Sequence, residues 1–318
     1  MFWGSFKITG LAVAQSFLLG AIGYFLVKRT ILGSEGLNAL SRLVIEVTLP
    51  LLIFCQLLRD FTFSSYPNWW IYPLISIAIT LISLALGALF SGFIRGHAQK
   101  LQFLALVSFQ NSGYLPLALI AVLLPQDKLG PMYIYLFLFL LGFNLAMFSL
   151  GSHIITFQKN KRFELAGLFS LPVVATLISL LLIAFGINKF IPAELLKPLS
   201  LAGDCTLPLA MFVLGGSLAE IRVVRVDKKA ILLMSLAKLI ILPALGILLI
   251  MKLKVPALMG LLIVMELAMP PATLLSVLTR HYKREDLLVS QGILLGHIIS
   301  IFTIPLFLSL YFALVMLQ

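Results

Sequence analysis

Glu46-Val47-Thr48-Leu49-Pro50-Leu51 and Asp204-Cys205-Thr206-Leu207-Pro208-Leu209 are near copies of one six-residue pattern. Positions 46 and 204 lie 158 apart, about half of the 318-residue chain. A duplicated acid-x-Thr-Leu-Pro-Leu inside apolar sequence predicts two structural halves, each with a helix broken near a proline and an acid at the break. Secondary transporters are often built from such internal repeats.

The surrounding sequence sets the class. Hydrophobic residues make up 61% of the chain and charged residues 11%, with a mean hydropathy of +1.11. Soluble domains are nearer half apolar and a quarter charged, so the composition is that of an all-α integral membrane protein. The first apolar stretch, 8–27, is long enough to span and carries no Ala-x-Ala cleavage site, so it reads as a span rather than a signal peptide. The net charge of +11 does not point to nucleic acid, because the basic residues sit in short loops between apolar stretches. Cys55 and Cys205 read as small hydrophobes within spans, and four scattered histidines without cysteine partners argue against zinc.

Ten spans are expected, at 8–27, 38–58, 70–93, 101–124, 131–154, 165–187, 199–220, 230–251, 256–279 and 287–315. Fourteen Lys and Arg residues follow odd-numbered spans, from Lys28 to Arg284, against seven at the N-terminus and after even-numbered spans. This excess places the odd loops in the cytoplasm and both termini outside. Leu81–Gly87 also resembles Ile240–Gly246 at an offset of 159, so span 2 matches span 7 and span 3 matches span 8. Five spans per half is an odd number, which inverts the second half (165–318) relative to the first (1–155).

Prolines inside spans mark the chemistry. Each removes a backbone donor and frees the carbonyl four residues earlier, which must then find a partner or line a cavity. Pro50, Pro208 and Pro270 each follow an acid by four residues, namely Glu46, Asp204 and Glu266. Arg42, one turn before Glu46, offers that acid a structural ion pair. Asp204 and Glu266 have no base one turn away and read as functional. Lys238, alone in span 8, is open to pairing with either acid, to standing in for a cation, or to contacting an anionic substrate.

Spans 4 and 9 carry the strongest helix-breaking signals, Gln110-Asn111-Ser112-Gly113-Tyr114-Leu115-Pro116 and Glu266-Leu267-Ala268-Met269-Pro270-Pro271-Ala272-Thr273. Setting Pro116 against Pro271 puts Asn111 opposite Glu266. Two half-helix N-termini meeting at mid-bilayer would favour an anion. The candidate substrate residues are therefore Asn111, Ser112, Gly113, Pro116, Asp204, Pro270 and Pro271. The candidate coupling residues are Glu266, Gln110, Asn111, Thr273, Asp204 and Lys238. A Na⁺ ion would use Glu266, Gln110 and Ser112, and a proton Glu266 or Asp204.

The order of ten spans, the run Asn111-Ser112-Gly113-Tyr114-Leu115-Pro116-Leu117, and the span 7 Pro-Leu run followed by Gly215-Gly216-Ser217-Leu218 resemble the auxin efflux carrier family. That resemblance implies the fold of the bile-acid/sodium symporter group. It also implies a scaffold of spans 1, 2, 6 and 7, a mobile unit of spans 3–5 and 8–10, broken crossover helices 4 and 9, a homodimer and organic-acid substrates such as auxin-like acids, malate or malonate. The short loop Phe157–Glu164 fits a bacterial member, in the inner (plasma) membrane. The leading expectation is an elevator-type secondary transporter of small organic anions, coupled to Na⁺ or H⁺. A cation/proton antiporter using Asp204, Glu266 and Lys238 is the alternative. An enzyme is not expected, since no HExxH, GxSxG or nucleophile beside a histidine occurs.

Overall fold

The computed structural model describes residues 2–156, 169–221, 226–281 and 287–316. Seven helices are long and apolar enough to cross a bilayer: α1 Phe2–Lys28, α2 Ser34–Asp60, α3 Ile71–Ser91, α6 Gln126–Ile155, α8 Ala193–Glu220, α9 Lys228–Leu253 and α12 Leu287–Val315. The remaining helices are shorter: α4 His97–Ser108, α5 Tyr114–Leu123, α7 Leu171–Ala184, α10 Ala257–Ala268 and α11 Leu274–His281. Among the described residues there is no strand, and one isolated bridge joins Gln110 to Pro271. The basic loop residues at 159–162, 222–225 and 283–284, and the expected start of span 6 at 165, lie outside the described residues.

Several helices outrun their apolar windows. α8 begins at Ala193 rather than 199, behind Pro192, with Glu194 in its first turn. α6 begins at Gln126 behind Pro125, with Asp127 in its first turn. A carboxylate near the exposed N–H groups of a helix start extends the helix into polar sequence that hydropathy alone discards.

The two acid-x-Thr-Leu-Pro-Leu stretches do not break their helices as expected. In α2 the chain widens into a π turn over Val44–Thr48, and Pro50 opens the α-helix that follows. A proline in the first turn of a helical segment gives up an N–H that had no partner there. In α8 the interruption is a single residue, Cys205, whose carbonyl accepts from the Leu209 amide at 3.2 Å. α9 repeats the first device, with a π turn over Leu236–Ile241 ahead of Pro243. Arg42 and Glu46 form the expected i,i+4 pair at 3.1 Å, on an outer face where both side chains are well exposed.

Helix packing relies on small residues, as expected where lipid removes much of the hydrophobic drive between helices. α1 lies along the second half of α8 and against α12, α2 along α7, and α3 against α6 and α4. A Cβ on Gly215 would stand 1.7 Å from the Gly20 carbonyl oxygen, and one on Gly23 only 2.1 Å from the Phe212 carbonyl oxygen. The two backbones therefore touch at a site where only glycine fits. Gly215→Ala is expected to destabilise the fold by about 1–3 kcal/mol, the usual cost of overpacking. Gly10→Ala, with open space around it, should be neutral or slightly stabilising. Thermal unfolding in detergent measures both, and equal melting temperatures for the two variants would refute the close packing.

Candidate functional site

The interruptions expected in spans 4 and 9 are present, and they bind each other. α4 ends at Ser108 and α5 starts at Tyr114, while α10 ends at Ala268 and α11 starts at Leu274. Between them, the Asn111 amide donates to the Pro270 carbonyl at 2.8 Å and the Ala272 amide donates to the Phe109 carbonyl at 2.9 Å. These reciprocal bonds flank Gln110 and Pro271, which face each other as a non-hydrogen-bonded antiparallel pair. At such a position a residue's own N–H points away from its partner, so proline is tolerated. The bridge thus satisfies backbone groups that two broken helices would otherwise leave bare inside an apolar core. Gly296 of α12 makes room for it, because a Cβ there would lie 2.7 Å from the Pro271 ring.

Each interruption ends in a helix start. Gly113 is the residue before α5, and Pro116 sits in its first turn, where the missing N–H costs nothing. The Tyr114 and Leu115 amides have no intrahelical acceptor. On the other side Thr273 and Leu274 begin α11, whose first bonds run from Leu275 and Ser276 back to Ala272 and Thr273. Residues 110–114 and 272–274 line a cavity of about 210 Å³ together with Ser41 and Ile45 of α2, Pro172 of α7 and Ser217 of α8. The surface its walls expose is largely apolar, with Asn111, Asn144 and Thr273 among the polar side chains.

Behind the bridge lies a fully buried polar cluster. Gln110, Ser112, Lys238 and Glu266 are each at most 1% exposed. The Lys238 ammonium, carried by the π turn of α9, donates to Gln110 Oε1 at 3.3 Å. Ser112 and Gln110 flank the Glu266 carboxylate and Lys238 is the charge nearest it. Even so, neither Glu266 oxygen, nor Ser112 Oγ, nor Gln110 Nε2 has a partner in hydrogen-bonding geometry. A carboxylate, a hydroxyl and an amide are thus gathered in one buried cluster, with a lysine as the nearest opposite charge.

Family comparison decides the class. A family profile described as membrane transport protein matches residues 10–165 and 155–308. The chain belongs to this family, that of the auxin efflux carriers. With its seven long apolar helices, it is a multi-pass membrane transporter. No curated protein matches the chain.

The structure gathers Gln110, Asn111, Ser112, Gly113, Glu266, Pro270, Pro271, Thr273 and Lys238 around one bridge. Asn111 meets Pro270 rather than Glu266, whose side chain lies behind the bridge with Gln110 and Ser112. Asp204 is elsewhere. It is exposed and lines a second cavity of about 480 Å³ with Gln56, Asp60, Asp127 and Tyr133, toward the opposite ends of α2 and α6 from the first and nearer the middle of α8. The residue that sequence reasoning missed is His297 of α12, fully buried, with Nε2 3.3 Å from Asn111 Nδ2. A lone histidine in an apolar helix carries no motif to flag it.

Proposed function

We propose that this auxin efflux carrier relative is a secondary transporter of small organic anions, coupled to protons, which binds its substrate in the 210 Å³ cavity at the paired interruption. The observation that carries this reading is the convergence of two helix starts and Asn111 on one mostly apolar cavity. Free N–H groups and the positive ends of two short helices attract a carboxylate, and the apolar walls take the rest of a small organic acid.

In this reading the chain crosses the membrane ten times as two inverted halves, α4–α5 and α10–α11 being the crossovers. α1, α2, α7 and α8 form the scaffold, and α3–α6 with α9–α12 form a unit that slides past it. The cavities toward opposite ends of α2 and α6 are what an elevator mechanism needs. The basic odd loops put the smaller one on the cytoplasmic side and the Asp204 cavity outside, in the inner (plasma) membrane of the cell, with both termini outside. The working unit is a homodimer.

In this reading the coupling ion is a proton rather than Na⁺. The side-chain oxygens gathered there are the two of Glu266, Ser112 Oγ and Gln110 Oε1, and the last already accepts from Lys238. The Lys238 ammonium, when charged, opposes a second cation in a low-dielectric site. The Glu266–Lys238 pair instead takes up and releases the coupled proton.

Uptake into proteoliposomes of malate, malonate and indole acetate, under imposed H⁺ or Na⁺ gradients, tests the proposal. The expected result is uptake of at least one carboxylate that follows the H⁺ gradient and ignores Na⁺. Na⁺/H⁺ exchange without any organic substrate would replace it with an antiporter.

A further inference from the structure

Asn111 is held from behind by a residue of another helix, and the hydrogen-bonding roles in that contact are determined. His297 Nδ1 lies 2.8 Å from the carbonyl oxygen of Ile293, one turn earlier in α12. A backbone carbonyl only accepts, so Nδ1 carries the proton. A neutral imidazole has one N–H, which makes Nε2 an acceptor. The Asn111 group 3.3 Å from Nε2 is therefore the amide NH₂. Asn111 Oδ1, the acceptor end of the same side chain, is left for the cavity that Asn111 lines.

That orientation changes what the cavity asks of a ligand. The helix starts at Tyr114 and Leu274 present donors, which a carboxylate satisfies. Asn111 Oδ1 presents an acceptor, which a carboxylate does not. A ligand without a donor at that point leaves a buried carbonyl stripped of water and unpaired, a cost that binding sites use to reject analogues lacking one hydroxyl or N–H.

We infer that His297 is a positioning residue, which fixes Asn111 with Oδ1 toward the cavity and so makes the site select carboxylates that bring a hydrogen-bond donor of their own over the same acids without it. The inference rests on the cavity being the organic-anion site. It also accounts for a histidine buried deep in an apolar helix with both ring nitrogens engaged, one by its own helix and one by the interruption of another.

Malate and succinate, which differ by one hydroxyl, are the probes. Each competes for uptake of the best carboxylate found for the wild-type protein in proteoliposomes, with KM and maximal rate measured separately for wild type, His297→Gln and His297→Leu. The wild type should prefer malate by about tenfold or more, the effect of one buried unpaired acceptor. Glutamine can still accept from the Asn111 amide through Oε1, so His297→Gln should keep most of that preference. Leucine cannot accept, so His297→Leu should bring the ratio close to one, mainly through KM, with the maximal rate for succinate largely kept. An unchanged ratio in His297→Leu overturns the inference, as does a ratio lost equally in the glutamine variant, or a wild type that does not distinguish the two acids. If no carboxylate is bound or carried by the wild type, the anion site itself fails. Carboxylate transport with an unaltered ratio removes only the role of His297.

Discussion

Glu266→Gln is expected to abolish gradient-driven accumulation and to lower the melting temperature, and adding Lys238→Met is expected to recover the stability without the transport. Glu266 and Lys238 are both fully buried, so neither charge has water to fall back on. Removing one member of such a pair typically costs about 3–5 kcal/mol, because the remaining charge is left uncompensated. The two groups are not in direct ion-pair contact, which puts the expected loss toward the lower end of that range. Lys238→Met alone should cost a comparable amount by stranding the carboxylate. The double variant removes both charges, keeps roughly the same volume and leaves an apolar neighbour for Gln110, so the two losses should cancel in large part rather than add. Thermal unfolding of the four proteins in detergent gives the coupling directly. Additive losses would mean that the two charges do not sense each other. Wild-type accumulation by Glu266→Gln under a pH gradient would remove this carboxylate from the mechanism.

The second large effect is expected at Asn111. Asn111→Leu keeps a side chain of similar size but removes the one polar side chain that joins the cavity, the bridge and His297. Its backbone amide still donates to Pro270, so the paired interruption should survive and the protein should fold. Asn111 Oδ1 accepts from a donor that the ligand brings, such as the malate hydroxyl, and a buried group that loses such a partner costs about 1–3 kcal/mol, which predicts a loss of affinity of about 5- to 150-fold. The imidazole Nε2 is left unpaired in the free and the bound variant alike, so that cost falls on stability rather than on affinity. Equilibrium binding of the transported carboxylate to purified protein measures it. Affinity within a factor of two of wild type would move the site away from Asn111.

Much of this arrangement is legible in the sequence because it depends on single helices. Runs of about twenty apolar residues announce spans. Gly113, Pro116, Pro270 and Pro271 announce where two of them fail, and Glu266 and Lys238 stand out as charges that lipid would not tolerate without a reason. What hydropathy cannot reach is anything decided between helices. Gln110 and Pro271 are paired by hydrogen bonds of their neighbours, and Lys238 meets Gln110 across 128 positions of chain. His297 meets Asn111 across 186. The repeated acid-x-Thr-Leu-Pro-Leu is the instructive partial miss. Its prolines signal irregular backbone correctly, but a π turn in α2 and a one-residue interruption in α8 absorb them, so the helices continue. Asp204 draws attention for the same reason as Glu266, an unpaired acid before a proline. Only the fold separates the two, Glu266 fully buried beside the bridge and Asp204 exposed in a different cavity.

Uptake of radiolabelled malate into liposomes holding the purified protein, wild type beside Asn111→Leu, at a fixed inward pH gradient and without Na⁺, is the most direct test of the central claim. The account predicts accumulation by the wild type that collapses with the gradient, and little or none by the variant at the same malate concentration. Equal accumulation by both proteins, or accumulation by the wild type only when Na⁺ is supplied, would contradict it.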